Sequence, residues 1–203
     1  SEPDKGQTDA LNKAMKRSRG DIIFWINSDD VLARGAFQAA RTFFEEHPEA
    51  QIVCGNAVTL DEHGAETGRT PPRVSAHKLR YPWDGNTSMH QPSIVFRRAV
   101  WEKTGPFDER LRFAMDYDFF LRLAKTTSLG FADIPLVRYR RHASQLTHIR
   151  NNLRILRAVE QILAGYENHF EVGRDVSVYM KRHAHVLTEL AKAELAVGRG
   201  QIA

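Results

Sequence analysis

The sequence predicts an α/β chain: a layered sheet with helices against its faces. Three observations predict it. Asp21 to Ile26 (DIIFWI) is a compact apolar run of the kind found in strands buried on both sides. Between residues 21 and 56 the pattern runs strand, helix, strand, the order of a right-handed βαβ crossover. Farther on, Tyr117, Phe120, Leu121 and Ala124 recur at helical spacing, so amphipathic helices accompany the strands.

Each element follows from its local pattern. Thr8 to Arg19 reads as a helix with Ala10, Leu11, Ala14 and Met15 on one face, and Gly20 stops it. The buried strand follows and ends in Asn27-Ser28-Asp29-Asp30. A helix over 35–46 carries Phe37, Ala40, Phe43 and Phe44 as its apolar stripe, and Pro48 closes it. Gln51 to Asn56 is a short strand. Thr59 to Gly68 reads as a hairpin around Asp61-Glu62-His63-Gly64. Residues 69–92 hold four prolines and read as a long loop, which in a compact domain is usually functional. Short elements follow: a strand at Ser93 to Phe96, a helix at Arg98 to Thr104 and a turn at 105–108. A helix over Asp116 to Lys125 comes next, then two strands, Gly130 to Ile134 and Leu136 to Arg141. From Ile149 the texture turns helical. Ile155, Val159, Ile162 and Tyr166 mark one helix, and Val186, Leu190, Ala193 and Val197 another. The expected division is therefore 1–148 and a helical appendage over 149–203.

Composition narrows the class. The 203 residues are 42% hydrophobic and 27% charged, which suits a folded globular chain rather than a disordered one. The apolar run Ile22 to Ile26 is far too short to span a bilayer. No apolar stretch of a signal peptide follows the opening Ser-Glu-Pro-Asp-Lys. A single cysteine, Cys54, excludes an internal disulfide and a cysteine-rich zinc site, and a reducing cytoplasmic setting fits. Charge is uneven. Residues 1–137 hold 18 Lys and Arg against 19 Asp and Glu, while 138–203 hold 11 against 6. That basic C-terminal third suits peripheral contact with the cytoplasmic face of a membrane, or simply a solvated helical surface. No zinc-finger, RNP-like or arginine-rich tract points to nucleic acid.

Four constellations can carry chemistry. Asn27-Ser28-Asp29-Asp30 closes a buried strand, the edge where open α/β sheets bind ligands. Two adjacent carboxylates there suit Mg²⁺ or Mn²⁺, and equally suit a helix cap. Asp116-Tyr117-Asp118 opens a helix. Its two carboxylates lie roughly 200° apart, so one faces a cleft and the other solvent or a basic neighbour. The cleft-facing one suits a general base. In Arg138-Tyr139-Arg140-Arg141-His142, alternation puts Arg138 and Arg140 on one face and Tyr139 and Arg141 on the other. Arginine and histidine at a strand end suit a diphosphate or a metal. Asp4-Lys5-Gly6-Gln7, continuing to Asn12, offers backbone and a helix N-terminus to an anion. No GxGxxG, Walker A or HExxH pattern occurs, and His183 and His185 stand on different helix faces.

Taken together, SEPDKGQTDALNKA with GDIIFWINSDD, HQPSIVFRRAVWEKTGPFDERLRFAMDYDFFLRLA, and VRYRRHASQLT resemble the family 2 glycosyltransferases of GT-A fold. The likeness covers about residues 1–147. It implies a GT-A (nucleotide-diphospho-sugar transferase, Rossmann-like) mixed sheet flanked by helices. It also implies that the family's first βαβ unit, with part of the nucleoside site, belongs ahead of residue 1, so that this stretch alone would be inactive. The activity implied is inverting transfer of a sugar from a nucleotide-diphosphate donor to an acceptor hydroxyl. The acceptor would be a saccharide or lipid-linked, in surface polysaccharide or glycoconjugate synthesis. By that likeness Asp29 and Asp30 match the DXD-like pair. Asp30 would bind Mn²⁺ or Mg²⁺, and Asp29 the metal or the donor. Asp116 matches the catalytic base. His142, with Arg140 or Arg141, would contact the pyrophosphate or complete the metal site. His90 and Gln91, with Asp4, Lys5, Gly6 and Asn12, would line the donor site, and Trp83 would stack on a sugar. Asn27 and Met115 stand where many relatives are acidic. They motivate the rival expectation of a non-catalytic GT-A-like module that binds nucleotide-sugar without turnover.

Overall fold

The computed structural model describes residues 2–71, 90–124, 129–146, 152–166 and 184–196. In chain order the elements are α1 (Gln7–Arg17), β1 (Ile22–Phe24), β2 (Val31–Leu32), α2 (Ala36–Glu46), β3 (Ile52–Leu60), β4 (Glu66–Thr70), a 3₁₀ turn (Gln91–Ser93), β5 (Ile94–Arg97), α3 (Arg98–Thr104), α4 (Met115–Ala124), β6 (Leu129–Arg140) and α5 (Asn152–Tyr166). A last helix, α6, covers 184–196. Trp83, most of the 69–92 loop and the boundary near 148 lie outside the described residues.

One mixed sheet in the order β1-β5-β3-β6-β2 organises the chain. β3 is its spine, buried at every position. Along one edge it pairs antiparallel with β5 and then with β4; along the other it runs parallel to β6. The pleat sorts side chains strictly. Ile52, Cys54, Ile94 and Phe96 enter one core with Met15, Trp25, Phe107 and Phe119, whereas Val53 and Val95 enter a second with Ala36, Ala40 and Phe44. So α2 covers one face of the sheet, and α1, α3 and α4 cover the other. Ile162, Leu163 and Val186 join the first core, which docks α5 and α6 onto the same body.

Three features depart from expectation. β6 is a single strand, where two separated at Pro135 are expected. Cys54 faces Phe131 but Ala57 faces Val137, so three steps along β3 answer six along β6. That irregularity absorbs the proline without ending the strand. Gly55 makes it possible, because a Cβ there would lie 2.5 Å from the Leu136 side chain and 2.7 Å from the Ile134 carbonyl. Second, β2 is only two residues long and leaves no periodic signal. Third, α1 buries polar Thr8 and Asn12 beside Met15, while of its expected packing residues Ala10 and Ala14 line a cleft and Leu11 both lines it and packs against the first core.

Candidate active site

The acidic turn is held from two sides. The Asp30 N–H donates to the Asn27 carbonyl (3.2 Å), and β2 then pairs Val31 with Arg138 and Leu32 with Val137. This brings the end of β6 over the turn. The Arg140 N–H donates to Asp30 Oδ1 at 3.0 Å, and its Nε donates to the Asp29 carbonyl at 3.3 Å. Two residues on, His142 Nε2 sits 3.0 Å from Asp29 Oδ2. The Ser144 N–H donates to His142 Nδ1 (3.2 Å), which leaves Nε2 as the ring nitrogen that faces Asp29.

The two acidic residues thus occupy different environments. Asp29 lines a cleft of about 980 Å³ together with His142. Asp30, expected on the metal, is 9% exposed and lies behind it. Its second oxygen accepts from Asn27 Nδ2 at 3.4 Å. Burial pushes the Asp30 carboxyl above the ordinary carboxylate range, and neighbouring Asp29 adds to the rise; the Arg140 N–H, Asn27 and His142 oppose it.

An amide chain floors the cleft. Gln7 Nε2 donates to Asn27 Oδ1 (3.4 Å), Asn27 Nδ2 to Gln91 Oε1 (3.1 Å), and Gln91 Nε2 to the Trp25 carbonyl (2.6 Å). His90 stacks on Tyr139, ring centroids 5.0 Å apart, and both line the cleft. Burial holds the His90 imidazole below its usual range, and Arg141 adds to this.

Across the cleft lies the first turn of α4. Asp116 faces in and its Oδ1 accepts the Tyr117 N–H at 2.9 Å. Asp118 turns to Arg122, 3.0 Å away, as helical geometry requires of residues two apart. Burial lifts the Asp116 carboxyl above its ordinary value, against the pull of backbone N–H groups. The approach to α4 is tense: Ala114 holds φ 56°, a left-handed conformation that costs an L-residue free energy and clusters at functional sites. Thr8 Oγ1 holds this approach, donating to the Leu111 carbonyl at 3.1 Å and lying 2.9 Å from Met115 Sδ.

The remaining expected donor contacts do not converge here. Asn12 is 3% exposed and its amide is consumed by Phe107, donating to that carbonyl and accepting that N–H, each at 2.9 Å. Asp4 and Lys5 close the turn into α1: Asp4 Oδ1 accepts the Gly6 N–H, and the Lys5 N–H donates to Asp9. Arg140 spends its guanidinium on the carbonyls of Asp29 and Glu62. Sequence reasoning missed Tyr139 as a cleft residue, although strand alternation already set it opposite Arg140. Gln7 stands in the expected anion-binding stretch, where its side chain is given no role of its own.

The glycosyl transferase family 2 model matches residues 1–105. The chain belongs to that family. Among curated relatives, an uncharacterized glycosyltransferase of Rickettsia prowazekii is 23% identical over 87% of this family 2 chain and 61% of its own length. The chain thus spans about three fifths of that relative. Among solved structures, residues 1–349 of Staphylococcus aureus TarS superpose with a TM-score of 0.60 at 16% identity, covering 88% of this chain and 51% of that one. The mannosyltransferase PcManGT of Pyrobaculum calidifontis, solved with GDP-Man and Mn²⁺, gives 0.55 at 16% identity over 98% and 60%. The fold is the GT-A fold.

Proposed function

We propose that this family 2 chain forms the catalytic part of an inverting glycosyltransferase. Sugar moves from a nucleotide-diphosphate donor to an acceptor hydroxyl, with Asp116 as general base. One observation carries the reading: a carboxylate–imidazole pair, Asp29 and His142, and an environmentally raised carboxylate, Asp116, line the same cleft. The pair suits a divalent cation. One carboxylate oxygen and one imidazole nitrogen fit Mn²⁺ better than Mg²⁺, which prefers oxygen throughout. No third His, Cys, Asp or Glu joins them in a cage among the described residues, so donor phosphates and water would complete the shell. When bound, the cation would neutralise charge gathering on the departing diphosphate.

The protein's own groups do the rest. Asp116 takes the proton of the acceptor hydroxyl as that oxygen attacks the anomeric carbon, and a single displacement inverts the centre. The Tyr117 N–H orients its carboxylate. Asp30 acts through β6, holding the Arg140 backbone and hence the strand end that presents His142. The same proposal places the activity on the cytoplasmic side, in surface polysaccharide or glycoconjugate synthesis. It adds peripheral membrane contact through the basic C-terminal third. Among the described residues no helix is long and apolar enough to cross a membrane.

Calorimetry of the intact protein with UDP-, GDP- and dTDP-sugars, with and without Mn²⁺, tests the reading. Mn²⁺-dependent binding of one donor class, lost in Asp29→Ala, is the expected result. Binding equal with and without metal, or unchanged in Asp29→Ala, refutes the metal site. Donor binding with no transfer to any acceptor favours the non-catalytic module instead.

A further inference from the structure

We infer that Arg112 reads a negative charge on the acceptor, so that the acceptor class is an acidic sugar bearing a carboxylate or phosphate. The inference rests on the glycosyl-transfer reading, which puts the acceptor hydroxyl at Asp116.

Three observations carry it. First, among the described residues lining the cleft Arg112 is the sole arginine or lysine, and Asp29 and Asp116 are the carboxylates on the same wall. Second, it is exposed and has no hydrogen-bond or ion-pair partner among the described residues. Nearby arginines do have one: Arg110 grips Asp108 at 2.7 Å and Arg122 grips Asp118 at 3.0 Å. A guanidinium left unpaired on the cleft wall is available to an incoming anion, and its planar fork fits carboxylate and phosphate alike. Third, its position is built rather than loose. Leu111 and Met115 are buried and both touch Thr8 Oγ1, so the three residues between them are presented to the cleft from two fixed ends. Left-handed Ala114 sets the turn, and Phe113 lies beside Arg112 on the wall. An apolar ring next to a guanidinium suits the C–H face of a sugar that carries an acid group.

Placement also argues for the acceptor over the donor. The donor diphosphate belongs at Asp29 and His142, at the sheet edge. Arg112 enters from the α4 side, four residues before the proposed base.

Saturation-transfer NMR tests the proposal on the intact protein loaded with Mn²⁺ and UDP. Three probes are compared: methyl β-glucuronide, glucose 6-phosphate and methyl β-glucoside. Both anionic probes should bind at least about tenfold more tightly than the neutral one, the scale of one charge-assisted hydrogen bond. Arg112→Gln should bring all three to the same level, and Arg112→Lys should restore part of the difference. The side chain is exposed and unpaired, so Arg112→Gln should unfold at the wild-type temperature. Whether the glucuronide or the phosphate shows the larger loss identifies the acid group. Equal binding of the three probes by the wild type, or no binding, overturns the proposal. So does a preference that survives Arg112→Gln, or a variant that loses UDP-sugar affinity and keeps the anion preference. The donor reading is scored separately, by Mn²⁺-dependent binding in the wild type and its loss in Asp29→Ala.

Discussion

Thr8→Val separates the support of the base from the base itself. The two side chains have nearly the same shape, so the substitution removes a hydroxyl and little else. Thr8 is 6% exposed, and its Oγ1 donates to the Leu111 carbonyl. Without it that carbonyl sits next to a methyl group with its partner gone. Leaving a buried acceptor unpaired costs about 1–3 kcal/mol. For a chain of this size each kcal/mol lowers the melting temperature by roughly 2–4 °C, so a fall of roughly 2–12 °C is expected by scanning calorimetry. The kinetic consequence is more selective. Thr8 holds both ends of the Arg112–Ala114 bridge, so kcat and the acceptor KM should worsen while Mn²⁺-dependent donor affinity is kept. Thr8→Ser should retain most of both. If Thr8→Val melts with the wild type and turns over normally, the claim that Thr8 holds the base in place is wrong.

Asp116→Asn should keep donor binding and lower kcat by about 10²–10⁴-fold, the usual contribution of a general base. Single-turnover assays beside calorimetry would show it, and near-normal turnover would remove Asp116 from the mechanism. Burial disfavours the charged carboxylate of Asp116, so a higher pH is needed to ionise it. The acid limb of kcat/KM against pH should therefore lie above the ordinary carboxylate value of 3.8, and a limb at or below it contradicts the raised carboxyl of the base. Removing Mn²⁺ with a chelator should abolish donor binding in the wild type and change nothing in His142→Ala; retained metal dependence in that variant would take His142 out of the site. Gly55→Ala should destabilise the chain by about 1–3 kcal/mol, because the added methyl meets Leu136 at 2.5 Å. Unfolding in urea at the wild-type midpoint would show that β6 yields there.

Periodicity made most elements legible. The helix over 98–104 has its expected limits, and α2, α4 and the β3–β4 hairpin differ from expectation by a residue or a few. What the local pattern lacked was tertiary context. Pro135 looks like a strand end because a proline cannot donate to a ladder; only the parallel partner β3, with Gly55 opposite, shows how it is accommodated. Asn12 is expected at the donor site and Thr8 carries no burial signal, because their partners, Leu111 and Phe107, lie about a hundred residues away. The placement of Asp29 and Asp116 on a cleft was legible, and that of Asp118 on the other side of the helix. The division of labour between Asp29 and Asp30 was not. It depends on which carboxylate the β6 backbone covers, and adjacent identical residues give no sequence signal for that.

The closure of β6 onto the acidic turn has a consequence in time. Asp30 meets its backbone donor 110 residues later in the chain, and Asp29 meets His142 after 113. At typical synthesis rates of about 5–20 residues per second, roughly 6–23 s separate the two halves of the site on the ribosome. Throughout that interval the nascent carboxylates have neither the strand nor the imidazole that shapes them. Any message cut short ahead of the His142 codon therefore yields a chain that carries both acidic residues and lacks the imidazole that closes over them.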